Sequence, residues 1–281
     1  MTAKKVKKLS TCLPGGFVKV LQALVCGTGV HVHLIYSSNS NDRYTLRLSG
    51  PWQDVVRRCV RDASGVKSSA LYPPANEIDL EAIDEWPSVL LKMQRSKDAD
   101  AEEDECHVIV TKKCPEISPR FLAGLTVGKV RLGFMEWLDE CASVNALHRE
   151  RSPLLNESML SLTTDAVKRM WLDAGVLHCD MHPNNVLVSK DASRVYVIDY
   201  GMATRIDEKM LARMQEAIRD NKVRAVDAYD QICKDYAFRV ITKRGYDIND
   251  EDGWNDDANF LRLIKDYCRK KKYHPIASGL D

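Results

Sequence analysis

The stretch that decides the fold runs from Leu177 to Thr204 and reads LHCDMHPNNVLVSKDASRVYVIDYGMAT. Two short apolar runs, residues 186–188 and 195–198, flank a polar segment at 189–194. Short runs rich in β-branched residues and bounded by turn residues are typical of buried strands. The stretch therefore predicts a loop, a strand, a turn, a second strand and a further loop that opens at Asp199.

The polar side chains of this stretch lie at the ends of the two predicted strands. They are carboxylates, imidazoles and a carboxamide, which accept protons, donate hydrogen bonds or bind hard cations. The residues concerned are His178, Asp180, His182, Asn185 and Asp199. Such groups beside buried strands are suited to metal–phosphate chemistry in a cleft.

Length and charge narrow the class of protein. The chain has 281 residues and a formal net charge of +1, enough for one large domain or two lobes with cores of their own. A net charge near zero does not favour nucleic acid or a membrane as a partner, and the basic residues at 1–8 and 269–272 do not change that expectation. No apolar run approaches the roughly 20 residues that span a bilayer.

The cysteines indicate a compartment. Nine cysteines without a C-x-x-C pair suit a reducing environment better than a disulfide framework, and the N-terminus lacks the apolar core of a secretory signal. We therefore expect an intracellular, cytoplasmic protein. The nucleus and, for a viral protein, the host cell remain as alternatives.

The first part of the chain reads as a strand-rich lobe. A flexible basic arm at 1–16 precedes an apolar run at 17–26, and Gly27-Thr28-Gly29 then leads into a predicted strand. Gly-x-Gly between strands lets backbone amides approach phosphates closely. Further elements are strands at 30–36, 44–48, 88–93 and 107–111, a turn at 37–43, helices at 51–63 and 76–86, and a solvated acidic loop at 96–105.

From residue 118 the pattern becomes helical. The predicted helices are 121–147, 157–174, 207–221, 223–242 and 256–271. The fold class is therefore α+β: a flexible arm at 1–16, a sheet-bearing lobe at 17–115 and a mainly helical lobe at 116–281 with the polar hairpin embedded in it.

Two motifs give this order a resemblance. Residues 178–185 resemble the catalytic loop H-x-D-x-x-x-x-N of the protein-kinase-like superfamily, and Asp199-Tyr200-Gly201 resembles its D-F-G. The resemblance implies a bilobal kinase fold, with an antiparallel sheet plus helix in the first lobe and helices in the second. It is nearest to atypical and compact kinases, both the viral-type Ser/Thr kinases and the phosphotransferases similar to aminoglycoside and choline kinases.

The resemblance also implies roles in ATP- and Mg²⁺-dependent transfer. Asp199 would hold Mg²⁺, Asn185 would supply an oxygen to a second Mg²⁺, and Asp180 would orient the attacking hydroxyl and accept its proton. His178 would fix the loop by hydrogen bonds. His182 takes the place where many Ser/Thr kinases carry a lysine, and as an imidazolium it would serve the same electrostatic role.

In the first lobe the resemblance is looser. Gly27 and Gly29 are similar to the glycine-rich loop, although the third glycine is replaced by valine. Arg47 falls where the family has V-A-I-K, with Glu77 as its helix partner, and we prefer this pair to the rival cation Lys92. The hinge strand that would bind adenine is expected at 110–115, with 133–137 as the alternative.

The sequence does not identify the acceptor. No A-P-E motif follows Gly201, so the segment that docks peptides in ordinary protein kinases is short or missing. The first expectation is phosphorylation of protein Ser/Thr hydroxyls. The alternatives are a small-molecule kinase of the aminoglycoside or choline type, and a pseudokinase-like binding scaffold, which Arg47 and the reduced glycine loop favour.

Overall fold

The computed structural model describes residues 13–38, 43–64, 71–95 and 100–224, together with Ala228. The chain forms two compact units. The first comprises Met1–Val108 and Arg120–Leu138, and the second comprises Ile109–Pro119 and Asp139–Asp281. The division therefore differs from the expected boundary after residue 115, because the chain at 120–138 returns to the sheet of the first unit.

The first unit is built on a six-stranded sheet. Its strands are β1 His31–Ser38, β2 Arg43–Ser49, β3 Leu71–Tyr72, β4 Ser88–Arg95, β5 Phe121–Val127 and β6 Val130–Glu136. They lie in the order β1-β2-β4-β6-β5-β3, and every neighbouring pair is antiparallel. The predicted α+β class with an antiparallel sheet is confirmed.

One face of this sheet is covered by two helices, α1 Gly15–Val25 and α2 Trp52–Ser64. The covered face is visible in the burial pattern of β2. Tyr44, Leu46 and Leu48 are buried, whereas the residues between them are half-buried. This period of two is that of a strand with one face on the core. The ring of Phe17 from α1 lies 4.9 Å from the ring of Tyr44, edge to face.

Three expectations for the first unit are wrong. The predicted helix 76–86 is a pair of short 3₁₀ turns, Ala75–Glu77 and Ala82–Glu85, and the Asp79 carboxylate opens the second turn by accepting from the backbone of Glu81 and Ala82. The predicted strand 107–111 lies inside a helix, α3 Asp100–Lys113. The predicted helix 121–147 begins as the hairpin of β5 and β6.

The second unit contains the expected hairpin and two of the expected helices, 157–174 and 207–221. Its elements are β7 Cys141–Ser143, α4 Val144–Arg149, α5 Glu157–Leu172, β8 Val176–Leu177, β9 Val186–Ser189, β10 Val195–Val197, β11 Thr204–Arg205 and α6 Glu208–Arg219. The side chains of Ser143, Asn156 and Asp207 cap α4, α5 and α6 by accepting backbone N–H groups, as short polar residues at helix starts commonly do.

Several predicted segments lie outside the described residues. These are most of the basic arm, the tip of the turn at 37–43, residues 96–99 of the acidic loop, nearly all of the helix 223–242, the helix 256–271 and the basic run 269–272. Among the helices that the structure describes, none is long and apolar enough to cross a bilayer.

Candidate active site

Two antiparallel pairings in the second unit bring the polar stretch together. In the β9–β10 hairpin Val186 faces Val197. Just beyond this pair the backbone N–H of Ile198 donates to the backbone oxygen of Asn185 at 2.9 Å. The second pairing joins β8 to β11, where Leu177 faces Thr204. The residues between these pairings are therefore held side by side, although they are distant in the chain.

Asn185 and Asp180 form the centre of the site. The side-chain nitrogen of Asn185 donates to the backbone oxygen of Asp180 at 2.9 Å and to its carboxylate at 3.2 Å. Asn185 is only 4% exposed, so its orientation is set by these partners. Because the nitrogen is engaged with Asp180, the side-chain oxygen of Asn185 is the atom left for a cation.

The surroundings of the Asp180 carboxyl group shift its pKa. Burial raises its pKa above the usual aspartate range, and the neighbouring Asp199 carboxylate raises it further. The imidazoles of His182 and His178 and the hydrogen bond from Asn185 act in the opposite direction. Carboxylate and carboxamide oxygens of the kind that Asp180, Asp199 and Asn185 carry are the ligands that a hard cation such as Mg²⁺ prefers.

His178, two residues before Asp180, is fully buried. Its Nε2 is 3.0 Å from the backbone oxygen of Ile198, the residue before Asp199, and its ring lies 5.4 Å from the ring of Tyr200. A buried histidine that joins the two loops in this way acts as a structural link.

His182 is half-buried beside Asp180, with its Nε2 3.8 Å from the Asp180 carboxylate. Its Nδ1 accepts the backbone N–H of Asn184 at 3.2 Å, so in the neutral ring the proton is on Nε2, towards Asp180. Asn145, at the start of α4, holds this loop by donating from its side chain to Asn184 and from its backbone to Pro183. Sequence reasoning missed Asn145, and its spacing from the motif gives no signal for it.

The backbone is strained at two points of the site. Asp199 has φ 64° and ψ 71°, and Cys179 has φ 59°. Left-handed conformations are rare for residues other than glycine, cost on the order of 1–3 kcal/mol each, and cluster at functional sites. The residue that follows Asp199, Tyr200, is buried.

In the first unit Lys92 meets a helix glutamate. Its Nζ lies 2.5 Å from the Glu103 carboxylate in α3, and the two side chains are 13% and 10% exposed. Gln94 donates to the other oxygen of the same carboxylate at 3.3 Å. Sequence reasoning had placed Glu103 in a solvated acidic loop.

The helix setting expected for the preferred pair Arg47–Glu77 is wrong. Glu77 lies in an exposed 3₁₀ turn, not in the predicted helix. Arg47 donates from Nε to the Ser88 hydroxyl at 3.0 Å, and its guanidinium lies over the Trp137 ring at 4.9 Å. The arrangement expected of Arg47 is the one that Lys92 makes.

The structure also differs from what was expected of the glycine-rich loop and of the hinge strand. Gly27 and Gly29 have positive φ angles of 79° and 74° and connect helix α1 to β1, so they do not form the expected turn between two strands. Residues 110–115 are the end of helix α3 and the turn after it, not a strand. The alternative hinge segment 133–137 includes the end of β6, shortly before the chain leaves the first unit after Leu138.

Comparison with known proteins agrees with the geometry of the second unit. No curated protein matches the chain. Residues 126–227, which include β6, the polar stretch and α6, match the family model of the ABC1 atypical kinase-like domain. This match and the α+β fold support the resemblance: over residues 126–227 the chain is similar to the atypical kinase-like branch of the protein-kinase-like superfamily.

Proposed function

We propose that the chain is an ATP- and Mg²⁺-dependent phosphotransferase that transfers the terminal phosphoryl group of ATP to a hydroxyl. The observation that carries the proposal is the hydrogen-bonded pair of Asn185 and Asp180, with the Asp199 carboxylate close enough to raise the pKa of Asp180. These are a base and oxygen donors of the kind that phosphoryl transfer needs.

Each residue has a role in this proposal. Asp199 and the Asn185 oxygen would hold Mg²⁺, which neutralises charge on the phosphates. Asp180 orients the acceptor hydroxyl and accepts its proton, and a raised pKa brings a carboxylate closer to the value of an efficient base. His182 points an N–H towards this carboxylate and adds positive charge when protonated. Lys92, positioned by Glu103, is the cation for the nucleotide phosphates.

The acceptor class is part of the proposal. The hydroxyl of a protein Ser or Thr is the first candidate. A small-molecule hydroxyl is the second, and a specific observation favours it: only residues 202–207 separate Gly201 from α6, which leaves little chain to form a peptide-docking segment.

A pseudokinase-like scaffold has less support than a phosphotransferase. It was motivated by Arg47 in place of a lysine and by the reduced glycine loop. Lys92 meets a helix glutamate, which answers the first point, whereas Gly27 and Gly29 join a helix to β1, which leaves the second point in its favour. The base and both oxygen donors are present in the second unit.

The test is Mg²⁺-dependent ATP turnover by the wild type, Asp180→Asn and Asp199→Ala. Loss of a general base lowers turnover by roughly 100- to 10,000-fold, so we expect both variants to be nearly inactive. Asp165→Asn, an exposed carboxylate on α5, is the matched control and should retain activity. Equal turnover in all four proteins would contradict the proposal, and ATP binding without turnover in the wild type would support the scaffold.

The acceptor is identified by transfer from radiolabelled ATP. One reaction contains Ser- and Thr-bearing proteins, and the other contains aminoglycosides, choline and related alcohols. Label in the protein fraction supports the first candidate, and label in the small alcohols supports the second.

A further inference from the structure

Two consecutive carboxylates of α3 face two cations from neighbouring strands. Glu103 pairs with Lys92 of β4, and Asp104 pairs with Arg131 of β6. The side chains of Arg131 and Asp104 are 9% and 8% exposed, so the second pair is as deeply buried as the first. An Arg–Asp pair in such surroundings needs additional hydrogen bonds, and Thr126 accepts one from Arg131 at 3.3 Å.

Two glycines in the sheet leave space for these carboxylates. Lys92, Gly133 and Gly124 lie opposite one another in β4, β6 and β5, so two of the three positions in this row carry no side chain. A Cβ atom at Gly124 would collide with the Asp104 carboxylate and the Arg131 guanidinium. Glycine at this position therefore provides the space in which the second ion pair forms.

The two pairs also lie in neighbouring rows on one side of the sheet. Gln94 and Arg131 face each other in the next row on the same side of the sheet, and Gln94 donates to Glu103. Each ion pair fixes α3 at one point. Two such points on adjacent strands fix both the rotation of the helix about its axis and its position along the sheet.

We propose that Asp104 and Arg131 are positioning residues that hold α3 in the one placement where Glu103 pairs with Lys92. They form a clamp that keeps the nucleotide cation oriented through contacts within the first unit. This inference rests on the proposed function only for the role of Lys92; the clamp itself is a property of the first unit.

The clamp is tested by a cycle that does not depend on activity. Lys92→Met is introduced into the wild type and into a background in which Asp104→Leu and Arg131→Met remove both charges of the clamp together, a replacement that buried ion pairs often tolerate. Thermal midpoints are measured for all four proteins. Coupled sites are non-additive, whereas independent sites add.

In the wild-type background Lys92→Met leaves Glu103 buried without its cation, and α3 cannot move to hydrate it. We expect a large decrease of the thermal midpoint. Without the clamp α3 can shift and expose Glu103, so we expect the decrease to be less than about half as large. Equal decreases in the two backgrounds would overturn the proposal.

Two further backgrounds complete the experiment. Arg131→Lys keeps the charge but not the planar fork, so we expect a decrease between the two extremes; it also serves as the test background if the double replacement does not fold. Arg57→Met with Asp84→Leu removes a more exposed ion pair of the first unit and should leave the effect of Lys92→Met unchanged. A wild type without ATP turnover would contradict the proposed function, while the thermal cycle would still decide the clamp.

Discussion

The side-chain nitrogen of Asn185 donates to two oxygens of Asp180, the backbone oxygen at 2.9 Å and the carboxylate oxygen at 3.2 Å. A carboxamide offers both a donor and an acceptor. One buried side chain therefore orients the candidate base and presents an oxygen on its other side. No carboxylate could do both, because it has no hydrogen to donate.

The first prediction follows for Asn185→Asp. The substitution replaces the donating nitrogen by a charged oxygen against Asp180, so we expect ATP turnover to fall by roughly 100-fold or more. Loss of the buried hydrogen bonds should lower the free energy of unfolding by about 1–3 kcal/mol. Turnover assays and thermal denaturation measure the two effects.

Asn184→Asp is the matched control for this substitution. Asn184 is exposed, and its side-chain oxygen accepts from Asn145 at 2.7 Å, a role that a carboxylate keeps. Equal losses of turnover in the two variants would show that the hydrogen bonds to Asp180 are not what matters.

The second prediction separates stability from activity at Lys92. Lys92→Met alone leaves Glu103 buried and unpaired, which should lower the free energy of unfolding by about 3–5 kcal/mol. Adding Glu103→Leu should restore most of the stability, because an apolar pair replaces the ion pair, but should not restore ATP turnover. Chemical denaturation and turnover are measured on both proteins.

Arg47→Met is the comparison for that prediction. Arg47 bonds to Ser88 and lies over Trp137, so we expect a smaller loss of turnover than at Lys92. An active Lys92→Met protein together with an inactive Arg47→Met protein would return the phosphate-binding role to Arg47.

The polar hairpin could be predicted because residues close together in the sequence form it. Two apolar runs, 186–188 and 195–198, pair through a short turn. Asn185 directly precedes the first run, and Asp199 directly follows the second. The α+β class followed in the same way from short runs and capped helices. Backbone angles and the tether from Asn145 depend on contacts between distant parts of the chain and left no local signal.

The ion pair of Lys92 was missed because local preference was misleading. Val108, Ile109 and Val110 are β-branched and favoured a strand, yet they lie in α3. The buried residues Cys106, Val110 and Cys114 are spaced by four, which is a helical period. With that spacing the acidic residues before them belong to the same helix, and Glu103 becomes a candidate partner.

The hairpin of β5 and β6 was missed for a different reason. Residues 122–125 of β5 are all buried, so the alternation that marks a strand with one exposed face is absent. The available signal was the turn: Val127 faces Val130 across two residues, and Gly128 has a φ of 60°, as such hairpin turns require.

The third prediction concerns the turn that joins β9 to β10. The hydroxyl of Ser189 and the backbone and hydroxyl of Ser193 donate to Asp191 and lower its pKa to about 2. A depressed pKa contributes stability above the ordinary value of about 3.9 and loses it as the pH falls towards the lowered value. Asp191→Asn should therefore have a lower thermal midpoint than the wild type near neutral pH, with a difference that narrows below about pH 4. A difference that is constant over that range would contradict this assignment.

The last prediction has the opposite sign and concerns Asp180. Burial raises the pKa of Asp180, so between the ordinary and the raised pKa the folded protein binds more protons than the unfolded chain. Its stability then falls as the pH rises through that interval, and the ionised carboxylate remains a cost at neutral pH. Asp180→Asn removes the charge and keeps an oxygen that can accept from Asn185. We expect this inactive variant to unfold at a higher temperature than the wild type at neutral pH, and the advantage to shrink as the pH is lowered to about 4.

Thermal denaturation in buffers with a chelator measures this without bound Mg²⁺, which would otherwise stabilise the carboxylate. A variant that is less stable than the wild type at neutral pH would show that Asp180 is not held at an electrostatic cost, and would remove the basis for treating it as a tuned base.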